Sequence, residues 1–282
     1  MSKFLGLIPY TGNKQKLLET IHPLFPDHDR FVDAFCGGLS VTLSAPGKVL
    51  ANDYDHTLIA MYNAIQRDPD PVETINNIIR EHGLTRSDSE AYYRFRDLYN
   101  QCKNPMWLYV LIQHSFSNVN RTNEDWEFNA TFGRRTFNHN SLKRLDHFKE
   151  RTASGNIEFS SMHYSKLDVN SGDFIYADPP YLITDACYNR FWSEKEEVTF
   201  LQWLHDLDKR GIRWGLSNVT HHKGKVNQFL VEFIEKYGYN VLPLNKRYVL
   251  DRGVDSEHET REVYVTNYPL AKQPVADLQA FM

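Results

Sequence analysis

The chain is poor in cysteine: three in 282 residues, at Cys36, Cys102 and Cys187, widely spaced and without a CxxC pair. That spacing argues against a disulfide framework and against a thiolate zinc site, and it fits a reducing cytoplasm. Long apolar runs are lacking as well, none approaching the roughly 20 residues that a membrane span requires. The opening Met1-Ser2-Lys3-Phe4 has no apolar stretch of the secretory kind. There is no excess of positive charge: the net charge is −4, which weighs mildly against phosphate binding, although where charge sits matters more than its sum. There is no repeat and no low-complexity tract. The 12 histidines are scattered and suggest no metal site; the adjacent pair His221-His222 reads as a surface turn. With 41% hydrophobic and 24% charged residues, the chain is globular. Its length suits one large domain or a core domain with a sizeable insertion.

What is present reads first as α/β. Arg30-Phe31-Val32-Asp33-Ala34-Phe35 is a short apolar run that ends in Cys36-Gly37-Gly38, followed by the helix-compatible 39–44 and a second strand over 48–53. Strand, glycine turn, helix, strand is the opening of a nucleotide-binding sheet. From about 55 to 118 apolar residues recur at helical spacing, as in Leu58, Ile59, Tyr62 and Ile65. The stretch 120–140 is polar, aromatic and basic, and 130–144 carries four basic residues and no acidic one, which a solvated loop would also explain. Strand character returns at 156–160, 173–177, 212–216 and 261–266. The expected layout is a catalytic α/β domain over 1–56 and 153–282, interrupted by a mainly helical insertion over 57–152.

Asp178-Pro179-Pro180-Tyr181 directly follows an apolar strand. In isolation it reads equally as a rigid turn. Methylation of an exocyclic amino group, however, accounts for every residue type in it. The lone pair of such an amine is delocalised into the ring. Hydrogen bonds from the amine to the Asp178 carboxylate and the Pro179 carbonyl would localise it, and the carboxylate would face the charge growing on nitrogen. The prolines stiffen the loop, and Tyr181 offers a face on which an extruded base can stack.

The glycine turn after Asp33-Ala34-Phe35 allows close approach of a ligand, and Asp53, at the end of the second strand, is placed to accept from ribose hydroxyls. The full GxGxxG pattern is absent, which suits a cofactor with adenosine and no pyrophosphate better than a dinucleotide; a structural βα turn is the alternative. In Pro9-Tyr10-Thr11-Gly12-Asn13-Lys14, Lys14 opening a helix could hold a cofactor carboxylate; a plain helix cap by Thr11 or Asn13 fits equally well.

Several blocks stand in one order: 10–15, Arg30 to Asp33 running through Cys36-Gly37-Gly38-Leu39-Ser40-Val41, 49–53, Phe116-Ser117-Asn118, Phe132-Gly133, Asp178 to Thr184, 188–194, Ser217-Asn218 and Glu262-Val263-Tyr264. Together they resemble the Dam-type DNA adenine-N6 methyltransferases, the alpha class of amino methyltransferases, and most closely the T-even bacteriophage enzymes. The resemblance covers nearly the whole chain. It implies a Rossmann-like sheet that uses S-adenosylmethionine, with a target-recognition insertion whose β-hairpin enters duplex DNA. Tyr10, Gly12, Lys14, Asp33, Phe35, Cys36, Gly37, Gly38, Asp53, Phe159 and Asp178 would surround the cofactor. Asp178 and Tyr181 would hold the flipped adenine, with Tyr188 and Trp192 bordering its pocket. Phe116 would wedge into the duplex, and Ser117, Asn118, Val119, Arg121, Thr131, Arg134 and Arg135 would contact bases or phosphates.

The family usually methylates GATC. Thr131 stands where relatives carry a proline that touches a base, so the expected target is GATC or a relaxed or related site. The resemblance further implies a bacterial or phage-encoded enzyme of the host cytoplasm, acting as a monomer or a weak dimer on DNA, without a metal. Rival chemistries fare worse. A cytosine-C5 enzyme needs a Pro-Cys nucleophile, and none of the three cysteines follows proline. An N4-cytosine enzyme would usually carry Ser at 178, and an RNA- or protein-directed enzyme Asn. A regulator without activity would have lost Asp178.

Overall fold

The computed structural model describes residues 5–10, 12–184, 192–244 and 260–270. In chain order it contains α1 (Leu18–Ile21), β1 (Arg30–Asp33), β2 (Lys48–Asn52), α2 (His56–Arg67), α3 (Pro71–Glu81), α4 (Ser89–Cys102) and α5 (Pro105–His114). These are followed by α6 (His139–Thr152), β3 (Ile157–Ser160), β4 (Asp173–Ala177), α7 (Glu194–Lys209), β5 (Arg213–His222), β6 (Lys225–Val226), α8 (Gln228–Tyr237), β7 (Asn240–Pro243) and β8 (Thr260–Thr266). The architecture is mixed α/β, as the strand and helix spacing in the sequence implies.

The chain divides into two compact units, one of residues 1–16 with 36–164 and the other of 17–35 with 165–282. The expected insertion, 57–152, lies within the first. In that unit β2 and β3 run parallel, Val49 opposite Ile157 and Asn52 opposite Ser160. Helix α2 starts at Asp55 because the carboxylate accepts the Thr57 and Leu58 N–H groups, at 2.9 and 3.2 Å. Its buried face is Leu58, Ile59, Met61, Tyr62 and Ile65, the 3–4 residue spacing of an amphipathic helix. Asp70 and Asn104 cap α3 and α5, each followed by proline in the first turn. Helix α5 is buried from Leu108 to His114, so it is the core helix of this unit.

In the second unit the strand order is β1-β4-β5-β8-β7, with β6 paired to β5. β1, β4 and β5 are parallel; β8 runs antiparallel to both β5 and β7. β4 is buried along its whole length, as expected of a strand flanked on both sides in a parallel sheet. At its start the buried Asp173 carboxylate holds Arg30 at 2.6 Å, tying the first residues of β4 and β1 together.

Two local expectations are corrected. Lys14 does not open a helix: residues 15–17 form a turn, and α1 begins at Leu18 without a side-chain cap. The Asn13 side chain accepts instead from the Gln15 N–H, at 3.2 Å, a local turn that competes with helix. His221 and His222 are strand residues closing β5, held by Thr220 and Thr260 hydroxyls at 3.1 and 2.8 Å; the turn to β6 follows at Lys223-Gly224. Among the described residues no helix is long and apolar enough to cross a membrane.

Candidate active site

The second unit carries Asp178, Pro179, Pro180 and Tyr181 directly beyond the C-terminal end of β4. This is where ligands bind in parallel α/β sheets. Asp178 is half-buried and Pro179 buried. The loop is closed by Thr184, whose N–H and hydroxyl both donate to the Tyr181 carbonyl, at 3.1 and 3.0 Å. The Tyr181 hydroxyl lies 2.9 Å from Asp178 Oδ1 and 3.1 Å from Glu262 Oε1 on β8. Burial, then the two carboxylates, push the phenol well above its usual range. Glu262 belongs to the Glu-Val-Tyr block of the resemblance, but sequence reasoning gave it no role.

Asp33 is buried at the end of β1 opposite Tyr176, and the next N–H, that of Ala34, donates to the Tyr176 carbonyl at 2.9 Å. Phe35 packs edge-on against Trp192 and Phe200, with ring centroids 5.8 and 5.6 Å away. Trp192 is oriented by a carboxylate: its indole N–H donates to Glu197 Oε2 at 2.5 Å. Glu197 is fully buried in the first turn of α7, and its other oxygen accepts from Asn227 at 2.7 Å and Asn218 at 3.4 Å. Burial raises its carboxyl, while the three donors oppose the rise. Tyr188 and Cys187 lie outside the described residues.

The first unit carries the glycine turn. The Cys36 N–H donates to the Asn52 carbonyl at 2.8 Å, which aligns the turn with the end of β2. Gly37 has φ +42° and its N–H donates to Asp53 Oδ2 at 2.9 Å; Asp53 Oδ1 accepts the Asp55 N–H, also at 2.9 Å. A side chain at Gly38 would stand 2.6 Å from Tyr10 Cβ and 2.9 Å from the Ile8 carbonyl, so Tyr10 is seated directly on the turn. Burial, then the neighbouring Asp55, push the Asp53 carboxyl up to about 6 against its two N–H donors. Phe159 on β3 packs against Tyr62 and Phe148, at 5.5 and 6.0 Å. Gly12 is exposed with φ +79°, and the buried Lys14 returns its amine to the Gly12 carbonyl at 2.9 Å. The group meant for a cofactor carboxylate thus holds a local carbonyl.

This arrangement fits a nucleoside. A carboxylate has about four acceptor positions. Two at Asp53 are taken by fixed N–H donors, which orient it and leave the rest for a pair of vicinal hydroxyls. The glycine backbone beside it admits a close ligand.

The residues that the sequence suggests for DNA contact lie in the same unit. Antiparallel bridges join Ser115 to Phe132 and Thr122 to Phe128, so 115–132 folds as a hairpin. Phe116 at its base is 64% exposed, an apolar ring presented to solvent. Ser117, Asn118, Trp126 and Arg134 all have positive φ, +59°, +52°, +59° and +49°. Asn118 is buried; its amide donates to the Ile112 and Gln113 carbonyls, and its oxygen accepts from Arg135 at 3.0 Å. Arg121 reaches across the hairpin to the Asn129 side-chain and main-chain oxygens, at 2.8 and 2.7 Å. The exposed Thr131 gives its carbonyl to the Phe116 N–H at 2.8 Å, and half-buried Val119 gives its own to the Ser115 hydroxyl at 3.2 Å. Asn120 donates to Asp55 Oδ2 at 3.0 Å. Arg134 is exposed.

Residues 10–249 match the family described as D12 class N6 adenine-specific DNA methyltransferase. The chain belongs to this family. Curated relatives include the type II methyltransferase M.FokI of Planomicrobium okeanokoites, 36% identical over 92% of this chain and 42% of that protein. The modification methylase StsI of Streptococcus sanguinis matches with the same identity and coverage. The DNA adenine methylase of Escherichia coli K12 is 27% identical over 73% of this chain and 75% of its own length. The chain spans less than half the length of M.FokI and of StsI. Among the described residues no group of three or more His, Cys, Asp or Glu could hold a metal ion.

Proposed function

We propose that this chain transfers a methyl group from S-adenosylmethionine to N6 of an adenine extruded from duplex DNA, in GATC or a related short site. The observation that carries this reading is Asp178 at the end of a fully buried strand, in a proline-stiffened loop beside the Tyr181 ring. When bound, the cofactor supplies an electrophilic sulfonium methyl. Asp53 and the 36–38 turn hold its adenosine; Tyr10, Gly12, Lys14, Asp33, Phe35 and Phe159 belong to the same proposed set. Asp178 and the Pro179 carbonyl accept hydrogen bonds from N6, draw the nitrogen toward tetrahedral geometry and face its growing positive charge. Tyr181 stacks on the base, and Trp192, anchored by Glu197, borders the pocket with Tyr188.

Residues 57–152 are the proposed target-recognition part. Phe116 fills the gap left by the base, which recovers part of the unstacking cost of a few kcal/mol. Thr131, Arg134 and the guanidinium edges of Arg121 and Arg135 face base edges or phosphates; Ser117, Asn118 and Val119 shape the hairpin that presents them. Kinship with the T-even phage enzymes, action in a cytoplasm and a monomer or weak dimer on DNA belong to the same proposal.

The test is nucleoside mass spectrometry on duplexes containing GATC or each single-base variant. N6-methyladenine is expected in one site or a narrow set, and Asp178→Ala is expected to abolish it while retaining fold and most DNA affinity. Near-normal turnover in that variant overturns the mechanism.

A further inference from the structure

Asp53 and Asp55 lie between the end of β2 and the start of α2, and their carboxylates have different duties. Asp53 holds the Gly37 N–H with Oδ2 and the Asp55 N–H with Oδ1, both at 2.9 Å. Asp55 gives Oδ1 to α2, where it accepts from the Thr57 N–H and hydroxyl and from the Leu58 N–H. Its other oxygen, Oδ2, accepts from the Asn120 amide at 3.0 Å, 65 residues away in sequence. Among the described residues the buried Asn120 oxygen meets no donor, so this bond is the one polar tie of that side chain. Asn120 directly precedes Arg121, which bonds Asn129 across the hairpin. Ring contacts add a second link. The Trp126 ring lies 6.2 Å from that of Tyr54 and 5.0 Å from that of His56, the residues on either side of Asp55. The hairpin thus rests on residues 54–56, immediately after Asp53. It is also anchored from α4, by the Tyr92 hydroxyl on the Ala130 carbonyl at 3.0 Å and by Asn100 on the N–H and carbonyl of Phe128, at 2.8 and 3.1 Å.

We propose that Asp55 is a positioning residue that couples the two ligands, so that cofactor and duplex each bind more tightly when the other is present. This rests on the reading of Asp53 as the ribose acceptor and of residues 115–132 as the hairpin that meets DNA. Ribose hydroxyls that donate to Asp53 fix its carboxylate, and with it the Asp55 N–H. The Asp55 side chain is locked to the first turn of α2 through Oδ1, so Oδ2 then stands still for Asn120. In the other direction, a duplex that fixes the hairpin fixes Asn120, Asp55 and the acceptor that the ribose needs. Ordering this shared segment costs free energy once, and the ligand that arrives second finds it ordered. The coupling is therefore positive and, by linkage, equal in both directions. One net hydrogen bond sets its size at about threefold to tenfold.

The test measures the Kd of the substrate duplex with and without saturating S-adenosylhomocysteine, and the Kd of S-adenosylhomocysteine with and without that duplex. In the wild type the two ratios are expected to be equal, at about threefold to tenfold. Asn120→Ala removes the donor while the hairpin keeps its anchors on α4. S-adenosylhomocysteine alone should then bind within about twofold of the wild type, and both ratios should fall to about one. A side chain that merely stiffened the hairpin would weaken DNA binding equally with and without S-adenosylhomocysteine. The ratio would then keep its wild-type value, and that result overturns the inference. Asp55→Ser keeps a helix cap but withdraws Oδ2, so it should lose the coupling as Asn120→Ala does. It decides alone should Asn120→Ala fail to fold. The double variant should lose no more than either single one. Additive losses, or wild-type ratios of about one, overturn the inference. Asp53→Asn is run in parallel. If it binds S-adenosylhomocysteine as tightly as the wild type, the ribose reading falls and this inference with it. If it binds weakly while Asn120→Ala keeps full coupling, only the link through Asp55 falls.

Discussion

The Tyr62 hydroxyl donates to the Gly37 carbonyl at 2.5 Å, linking the middle of α2 to the glycine turn 25 residues earlier. With the Gly37 N–H on Asp53, both polar groups of that one residue are held. Tyr62→Phe keeps the ring packed on Phe159 and removes the donor. It should cost about 1 kcal/mol of stability, the net worth of a typical hydrogen bond. The Kd for S-adenosylmethionine should rise roughly threefold to tenfold as the turn loosens, and calorimetry would read both. An unchanged Kd would mean that the turn keeps its shape without α2.

Gly133 lies where the hairpin crosses its own base. A Cβ there would overlap the Ser115 carbonyl and the Phe116 nitrogen, both backbone atoms that cannot step aside. Gly133→Ala should therefore separate the strands below Phe116. DNA affinity should drop about tenfold or more, one or two lost contacts' worth, while cofactor affinity stays at the wild-type value. Equal losses in both would show that the change disturbs the unit as a whole.

Asp53 sets a pH dependence. Its folded carboxyl titrates at about 6 against an ordinary value of 3.8. The folded group thus binds its proton more tightly than the unfolded one. Its contribution to stability is complete below about 4 and lost as pH rises through about 6. Ribose hydroxyls donate to the ionised form, so cofactor binding runs the other way: the Kd should be flat above pH 7 and rise about tenfold per unit below pH 6. Asp53→Asn should bind weakly with no such slope. A wild-type slope surviving in Asp53→Asn would assign it to another group.

Glu197 anchors Trp192 from a fully buried position. Glu197→Ala would strip the acceptor from one indole and two amide donors and should cost about 3 kcal/mol, seen as a fall in Tm. Burial raises this carboxyl, so its stabilising share is complete in acid and is lost as pH rises through the folded value. Glu197→Gln keeps the size and an acceptor, and should gain on the wild type as pH rises. A difference between the two proteins that did not move with pH would contradict a raised carboxyl.

The fold was legible where burial imposes one pattern. β1, β2 and β4 are short, largely buried runs with parallel partners, and they and the less buried β3 lie within about a residue or two of where the sequence suggests them. The Asp178 loop was legible because each of its residues has a separate chemical reason to be there. Glu262 was not, since its partner lies 81 residues earlier and nothing local marks one acidic residue in a strand as special. Glu197 was hidden in the acidic first turn of α7 with Glu194 and Glu196, a composition expected of an exposed helix start. Lys14 misled because a glycine followed by a lysine suits a helix opening, whereas the Asn13 and Lys14 side chains both fold back on the local backbone.

The left-handed backbone at Ser117, Asn118 and Arg134 also governs how the hairpin proposed to read DNA can change its target over generations. Val, Ile and Thr are strongly disfavoured at such φ values, so the alphabet open to those three positions is short. Val119, Arg121, Thr131 and Arg135 are not among the residues with positive φ, so their backbone sets no such limit. New specificities in this lineage should arise by substitution at those four sites, with the kinked positions inherited almost unaltered.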